Sequence, residues 1–218
     1  GGQVPPELGR LSRLQVLNLS LNALQGSIPA ALGRCTKLRV LNLRNNLLQG
    51  EIPAQIGSLE NLEILNLFAN DLSGHIPPSI ANLSSLQTLN LGNNTLSGAI
   101  PSSLGRMPRL SLLSVQFNNL SGLIPPPVWN ISSLKGLSVV GNALRGTIPA
   151  GAFANLPLLQ LFYMSYNQFH GHVPAILANS SELQRIELGY NFFSGTVPPE
   201  VGGLQNLESL VLSNNLLQ

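Results

Sequence analysis

One asparagine recurs along this chain every 24 residues, at Asn22, Asn46, Asn70, Asn94, Asn118 and Asn142, and then, after one step of 25, at Asn167, Asn191 and Asn215. Apolar residues stand three, five and eight positions before it, as Leu67, Leu65 and Leu62 stand before Asn70. Glycine follows four positions later (Gly26, Gly50, Gly74 and onward to Gly195), and proline seven later (Pro29, Pro53, Pro77 and onward to Pro198). A fixed period of this length marks a solenoid of stacked coils. A single coil cannot bury its own leucines, so stability has to come from neighbours that share a continuous core. In a run such as Leu65-Asn66-Leu67 the apolar residues alternate, which predicts a short strand with one face inward. At about 4.8 Å between strands, nine coils extend roughly 40 Å. An asparagine amide offers two donors and an acceptor to backbone groups left open where the strand turns away. Stacking therefore predicts a ladder in which all nine asparagines are buried.

The second half of each coil reads Gly-x-Ile-Pro or Gly-x-Val-Pro, as in Gly74-His75-Ile76-Pro77. Glycine permits a tight or left-handed backbone, the residue before proline is held extended, and proline cannot donate to a sheet beyond it. This predicts a second short strand that stops at the proline. A brief helical or 3₁₀ turn then carries Leu32, Ile56, Ile80, Leu104, Val128, Leu177 and Val201 inward on the convex side. Glycines such as Gly33, Gly57, Gly105 and Gly202 argue against long helices there.

The full unit, L-x-x-L-x-L-x-x-N-x-L-x-G-x-I-P-x-x-L-G, resembles the plant-specific class of leucine-rich repeat along all 218 residues. The expected fold is an α/β solenoid: a leucine-rich-repeat superhelix with a parallel concave sheet, short second strands and 3₁₀ or short helical turns on the convex side. That class is found mainly in ectodomains of plant receptor kinases, receptor-like proteins and polygalacturonase-inhibiting proteins. Several coils, including Ser27 to Gly33 followed by Cys35-Thr36-Lys37-Leu38, are similar to immune receptor kinases of the bacterial-blight-resistance type. So are the 25-residue coil with Ala152-Phe153 and the run Phe169-His170-Gly171.

Only 9% of the residues are charged and the formal net charge is +2. The basic residues form no run and no aromatic platform accompanies them, which argues against a nucleic-acid partner. No apolar stretch approaches the roughly 18 residues needed to span a membrane, and the N-terminus does not read as a signal peptide. The chain opens on the glycine–proline part of one coil and stops just before the glycine of another, without the polar caps that close solenoids. The expectation is one solenoid of about nine repeats over residues 1–218, truncated at both ends, as a slice of a longer array or a degenerate gene product.

Cys35 stands in a column filled elsewhere by Leu11, Leu59, Leu83 and Met107, and a free cysteine there packs as a small hydrophobe. Six N-x-Ser/Thr sequons occur, at Asn18, Asn82, Asn93, Asn119, Asn130 and Asn179. Asn82, Asn130 and Asn179 share one column twelve residues after the ladder asparagine, on a turn where a glycan meets no neighbouring coil. Composition alone also generates sequons in an asparagine-rich repeat, but alignment in one exposed column favours glycosylation of a secreted protein.

Chemistry is sparse. Asp71 is the only aspartate, and the eight glutamates are scattered, so no carboxylate pair for acid–base work suggests itself. His170 and His172 are two apart, without a carboxylate or cysteine in matching columns, and surface histidines describe them better than metal ligands. Nucleophile-elbow, Walker and dinucleotide motifs are missing. The reading is a non-enzyme with no metal and no cofactor.

What remains is surface. Concave positions lie six, four and two residues before each ladder asparagine, with a rim position one before it. Early coils repeat Asn18, Asn42, Asn66 and Asn90 in one column, a filler consistent with cross-strand stacking. From the fifth coil the columns diversify into Phe117, Tyr163, Tyr166, Arg185, Glu187 and Tyr190. Exposed aromatic and arginine side chains suit recognition; drift with rings packed on the sheet is the plainer alternative. If they form a site, Phe117, Tyr163, Tyr166, Arg185 and Tyr190 are exposed on one connected surface. The extra residue near Gly151 falls on the convex side, so Tyr163 and Glu187 should stay in one column.

The resemblance then implies an extracellular or cell-surface module that binds a peptide or protein ligand on its concave and lateral face, in immune or developmental signalling. A co-receptor ectodomain would join after ligand binding, and any membrane attachment would come from a segment downstream. The alternatives are a secreted inhibitor of microbial cell-wall-degrading enzymes and a structural fragment without a ligand.

Overall fold

The structure, a computed structural model, describes residues 2–175 and 180–218, so Leu177 and the sequon at Asn179 lie outside the described residues. Nine three-residue strands, from Val16–Asn18 and Val40–Asn42 to Arg185–Glu187 and Ser209–Val211, form one parallel sheet in chain order. Pairing is in register throughout: Val16 faces Val40, Asn66 faces Asn90, and Tyr163 faces Glu187. The extra residue of the 25-residue coil is thus absorbed outside the sheet. The central residue of each inner strand points inward; Leu41, Leu65, Leu89, Phe162 and Ile186 are fully buried in one continuous core. Leu210, in the ninth coil and packed on one side only, remains 39% exposed.

The asparagine ladder follows one rule. Asn118 donates to the carbonyls of Leu91, Val115 and Gln116, and its Oδ1 accepts the N–H of Leu96 in the preceding coil at 2.9 Å. Asn46, Asn70, Asn118, Asn167 and Asn191 are buried. The expectation for all nine needs correction: Asn94, Asn142 and Asn215 are half-buried and Asn22 is exposed. Asn22 reaches only the carbonyls of Leu19 and Ser20 in its own coil, with no earlier ladder rung to cover it.

The second strands also differ from expectation. They precede the Gly-x-Ile-Pro motif and mostly stop at or before the glycine, as in Asp71–Ser73, Ala143–Gly146 and Phe192–Gly195. Gly74, at φ +75°, turns the chain out of the strand before the proline is reached. These strands build a two-stranded and a six-stranded lateral sheet, joined by a bridge between His75 and Ser97. On the convex side, among the described residues, seven prolines stand at the N-cap of a five-residue 3₁₀ turn, among them those before Ala30–Arg34, Ala54–Ser58 and Pro126–Asn130. Leu32, Ile56, Ile80, Leu104, Val128 and Val201 point inward from these turns, as expected. Gly33 has a further cause: a Cβ there would lie 2.3 Å from the Gln55 carbonyl oxygen of the next coil. Gly9, Gly57 and Gly105 in the same column make the same close approach, whereas Ala81 and Trp129 occupy it in two other coils. In the 25-residue coil a looser turn replaces the 3₁₀ turn, and Phe153 fills the widened core edge-on to Trp129 and Phe162. Cys35 is buried in its core column and its Sγ meets the Leu8 carbonyl at 3.3 Å.

Candidate functional site

The position just before each ladder asparagine is left-handed in all nine coils, with φ between +50° at Phe117 and +65° at Gly141. Leu, Asn, Ala, Phe and Tyr occupy it as readily as glycine. Such a backbone costs a non-glycine residue roughly 1 kcal/mol or more and persists only where its surroundings over-determine it. In the first eight coils the rim residue's N–H donates to the next coil, as Leu21 to Arg44, Tyr166 to Gly189 and Tyr190 to Ser213, while Asn214 keeps the same backbone without such a bond. The constraint swings the rim side chains out of the sheet and over the edge of the concave face. Phe117, Tyr166 and Tyr190 are each about half exposed as a result.

Tyr166 and Tyr190 stack with ring centroids 4.2 Å apart and planes inclined by 11°. The neighbouring Tyr190 hydroxyl, and after it desolvation, hold the Tyr166 hydroxyl above the ordinary phenol range. Phe117 lies against Gly141, one coil short of Tyr166; its ring atom Cδ1 sits 2.5 Å from where a Cβ on Gly141 would be. Gly141 is therefore required twice, by its left-handed backbone and by the ring across it.

Behind the rim, Tyr163, Arg185 and Glu187 meet on adjacent strands. Arg185 is exposed, whereas Tyr163 and Glu187 are half-buried between neighbouring side chains, so the expected exposure of Tyr163 holds only in part. Burial and then the Glu187 carboxylate push the Tyr163 hydroxyl up, with Arg185 opposing them. Arg185 also approaches Glu208 at 3.5 Å, an exposed pair that orients the guanidinium more than it stabilises the fold. Between this cluster and the early coils the concave surface narrows to small residues: Ser114 and Ser138 are buried, and Ser138 donates to Gln116 Oε1 at 2.8 Å. The structure thus gathers the six residues into two neighbouring groups and one outlier: the Tyr166–Tyr190 stack, the Tyr163–Arg185–Glu187 cluster, and Phe117 over Gly141.

The early asparagine column has a role that the sequence reading missed. Oδ1 of Asn18, Asn42, Asn66 and Asn90 accepts the backbone N–H two residues on, closing the turn at the strand's end. That column is committed to the chain's own backbone, while the later coils have exchanged it for Ser114, Ser138, Tyr163 and Glu187. Among the described residues no three histidine, cysteine, aspartate or glutamate side chains cluster as metal ligands. No helix among them is long and apolar enough to cross a membrane.

Leucine-rich-repeat family models match residues 12–72 and 85–107. This is a leucine-rich-repeat solenoid. Solved structures similar to it include a TDR receptor, at 33% identity and TM-score 0.95 over 99% of this chain and 37% of that one. The solenoid is also similar to the Arabidopsis receptor kinase HAESA, solved with the peptide hormone IDA and the co-receptor SERK1, at 33% identity and TM-score 0.81 over 99% and 40%. A plant ice-binding protein matches at 29% identity and TM-score 0.90 over 99% of this chain and 69% of that one. The solenoid spans about two fifths of the receptor ectodomains it resembles. A search among curated proteins gave no match. One fold serves both peptide-hormone receptors and an ice-binding protein, so function has to be argued from the surface.

Proposed function

We propose that this solenoid is a non-catalytic ligand-recognition module, part of an extracellular receptor-kinase ectodomain, and that it binds a peptide at the rim and concave face of coils five to eight. The observation that carries this reading is the change of surface along one unchanged scaffold. Strand register and ladder stay constant, yet the self-satisfied asparagine column gives way to Ser114, Ser138, Tyr163 and Glu187. The rim column changes from Leu21, Asn45, Ala69 and Asn93 to half-exposed Phe117, Tyr166 and Tyr190, with exposed Arg185 on the same face as Tyr163. Rigid aromatic anchors next to an arginine lose little entropy on binding and typically dominate interface energy. The left-handed backbone pre-orients them, which lowers the ordering cost further. Similarity to a receptor kinase solved with a peptide hormone and a co-receptor supports the same class of partners here. The resemblance of several coils to immune receptors of the bacterial-blight-resistance type supports a microbial or endogenous defence peptide as the ligand. In this reading the protein acts at the cell surface, and a co-receptor ectodomain docks once the peptide is seated.

The test is a peptide-display selection against the purified solenoid, followed by titration of the enriched peptides. Tyr190→Ala and Tyr166→Ala should each weaken binding about tenfold or more, since an anchor typically contributes about 2 kcal/mol. Asn42→Ala and Asn66→Ala should leave affinity within about twofold. Equal losses at all four positions would sink the assignment, as would peptides indifferent to both tyrosines.

A further inference from the structure

We infer that Asn130 carries an N-linked glycan whose first sugar packs into a cleft beside Trp129; this rests on the extracellular reading above. The cleft lies on the convex side, between the turn Pro126–Asn130 and the looser turn of the 25-residue coil, with a volume of about 300 Å³. Pro126, Trp129 and Pro149 form its apolar walls and Asn130 and Asn155 its polar edge. Asn130-Ile131-Ser132 is a sequon, and both Asn130 and Ser132 are exposed. Asn155 Nδ2 donates to Asn130 Oδ1 at 2.8 Å. That bond holds the amide plane and leaves Asn130 Nδ2 without a partner among the described residues.

Glycosylation joins this nitrogen to the anomeric carbon of a lipid-pyrophosphate-linked oligosaccharide. The anomeric C–O bond breaks, the lipid pyrophosphate leaves, and one amide proton is released. The attached pyranose begins at the mouth of the cleft, where its C–H faces meet the two exposed proline rings and the small edge that the otherwise buried Trp129, 4% exposed, leaves open. Asn82 shares the column and is exposed, but Ala81 stands where Trp129 stands, so a sugar there has no wall to pack on. The two sequons thus differ in what the glycan does to the protein. At Asn82 it projects into solvent; at Asn130 it closes a gap that the irregular coil leaves between convex turns.

Trp129 is the chain's only tryptophan, so fluorescence reports on this cleft alone. The experiment is secretion of the chain from insect cells, glycopeptide mass spectrometry at both sequons, and acrylamide quenching of the intact protein. Ser132→Ala removes the Asn130 sequon while keeping Asn130 and its bond to Asn155; Ser84→Ala does the same at Asn82. We expect sugar at Asn130, a larger quenching constant in Ser132→Ala as the small open edge of Trp129 loses its cover, and a Tm lower by about 2–4 °C. Ser84→Ala should move neither quantity. Unmodified Asn130 beside a glycosylated Asn82 overturns the inference alone. Sugar at neither overturns it and removes the sequon support for secretion, while a glycosylated Asn130 with unchanged quenching in Ser132→Ala refutes the packing.

Discussion

Replacing Asn118 by leucine separates what a ladder asparagine does from what its position in the repeat suggests. Its Nδ2 serves three carbonyls, but each has a second partner. Leu91 O also accepts from Asn94, Val115 O from Asn142, and Gln116 O from the Asn93 N–H. Losing those bonds therefore leaves every carbonyl served, at a net cost of about 1 kcal/mol in all. The Leu96 N–H is different, since Asn118 Oδ1 is its acceptor in the buried turn. Leaving it unpaired costs about 1–3 kcal/mol, so the total is roughly 2–4 kcal/mol. Asn22→Leu removes only bonds to Leu19 and Ser20 at an exposed site and should cost under about 1 kcal/mol. Urea unfolding followed by circular dichroism measures both, and hydrogen exchange should show the Leu96 amide opening first in the Asn118 variant. Equal destabilisation by the two substitutions, or a protected Leu96 amide in the Asn118 variant, would refute the reasoning.

Gly33→Ala forces a Cβ onto the Gln55 carbonyl and should cost about 1–3 kcal/mol in chemical unfolding. Gly202→Ala, in the same column with nothing within 4 Å, should be neutral or stabilise by about 0.4–1 kcal/mol. Ultraviolet titration should show Tyr166 ionising above the usual phenol value of about 10. Tyr190→Phe removes the neighbouring hydroxyl and should bring Tyr166 back toward that value. Because the folded state holds the Tyr166 proton more tightly, its contribution is complete below the unfolded pKa and is lost as pH rises through the folded one.

Most of the scaffold was legible because the ladder asparagine marks each coil and alternation fixes each strand; Val40–Asn42 and Ile64–Asn66 fall where Leu-Asn-Leu places them. Three features were not legible, and each depends on a neighbouring coil. The left-handed rim holds Leu21, Ala69, Phe117 and Tyr190 without shared chemistry, since bonds to the next coil impose it. The convex glycine reads as a helix breaker until the next turn's carbonyl is placed beside Gly33. Unequal burial of Asn22 and Asn118 follows from what stacks on each, which an identical repeat letter hides. For the site, residue types and columns were readable. The Tyr166–Tyr190 stack, the half-burial of Tyr163 and the notch under Phe117 required the rim geometry.

The claim that coils five to eight form the recognition surface is tested most directly by site-specific photocrosslinking to a selected peptide. A benzophenone side chain replacing Tyr166 should capture the peptide in high yield, and unlabelled peptide should compete it away. The same group at Asn42 on the early concave face, or at exposed Arg10 on the convex side, should capture little. Crosslinking from Asn42 or Arg10 at a yield equal to that from Tyr166 would contradict the account.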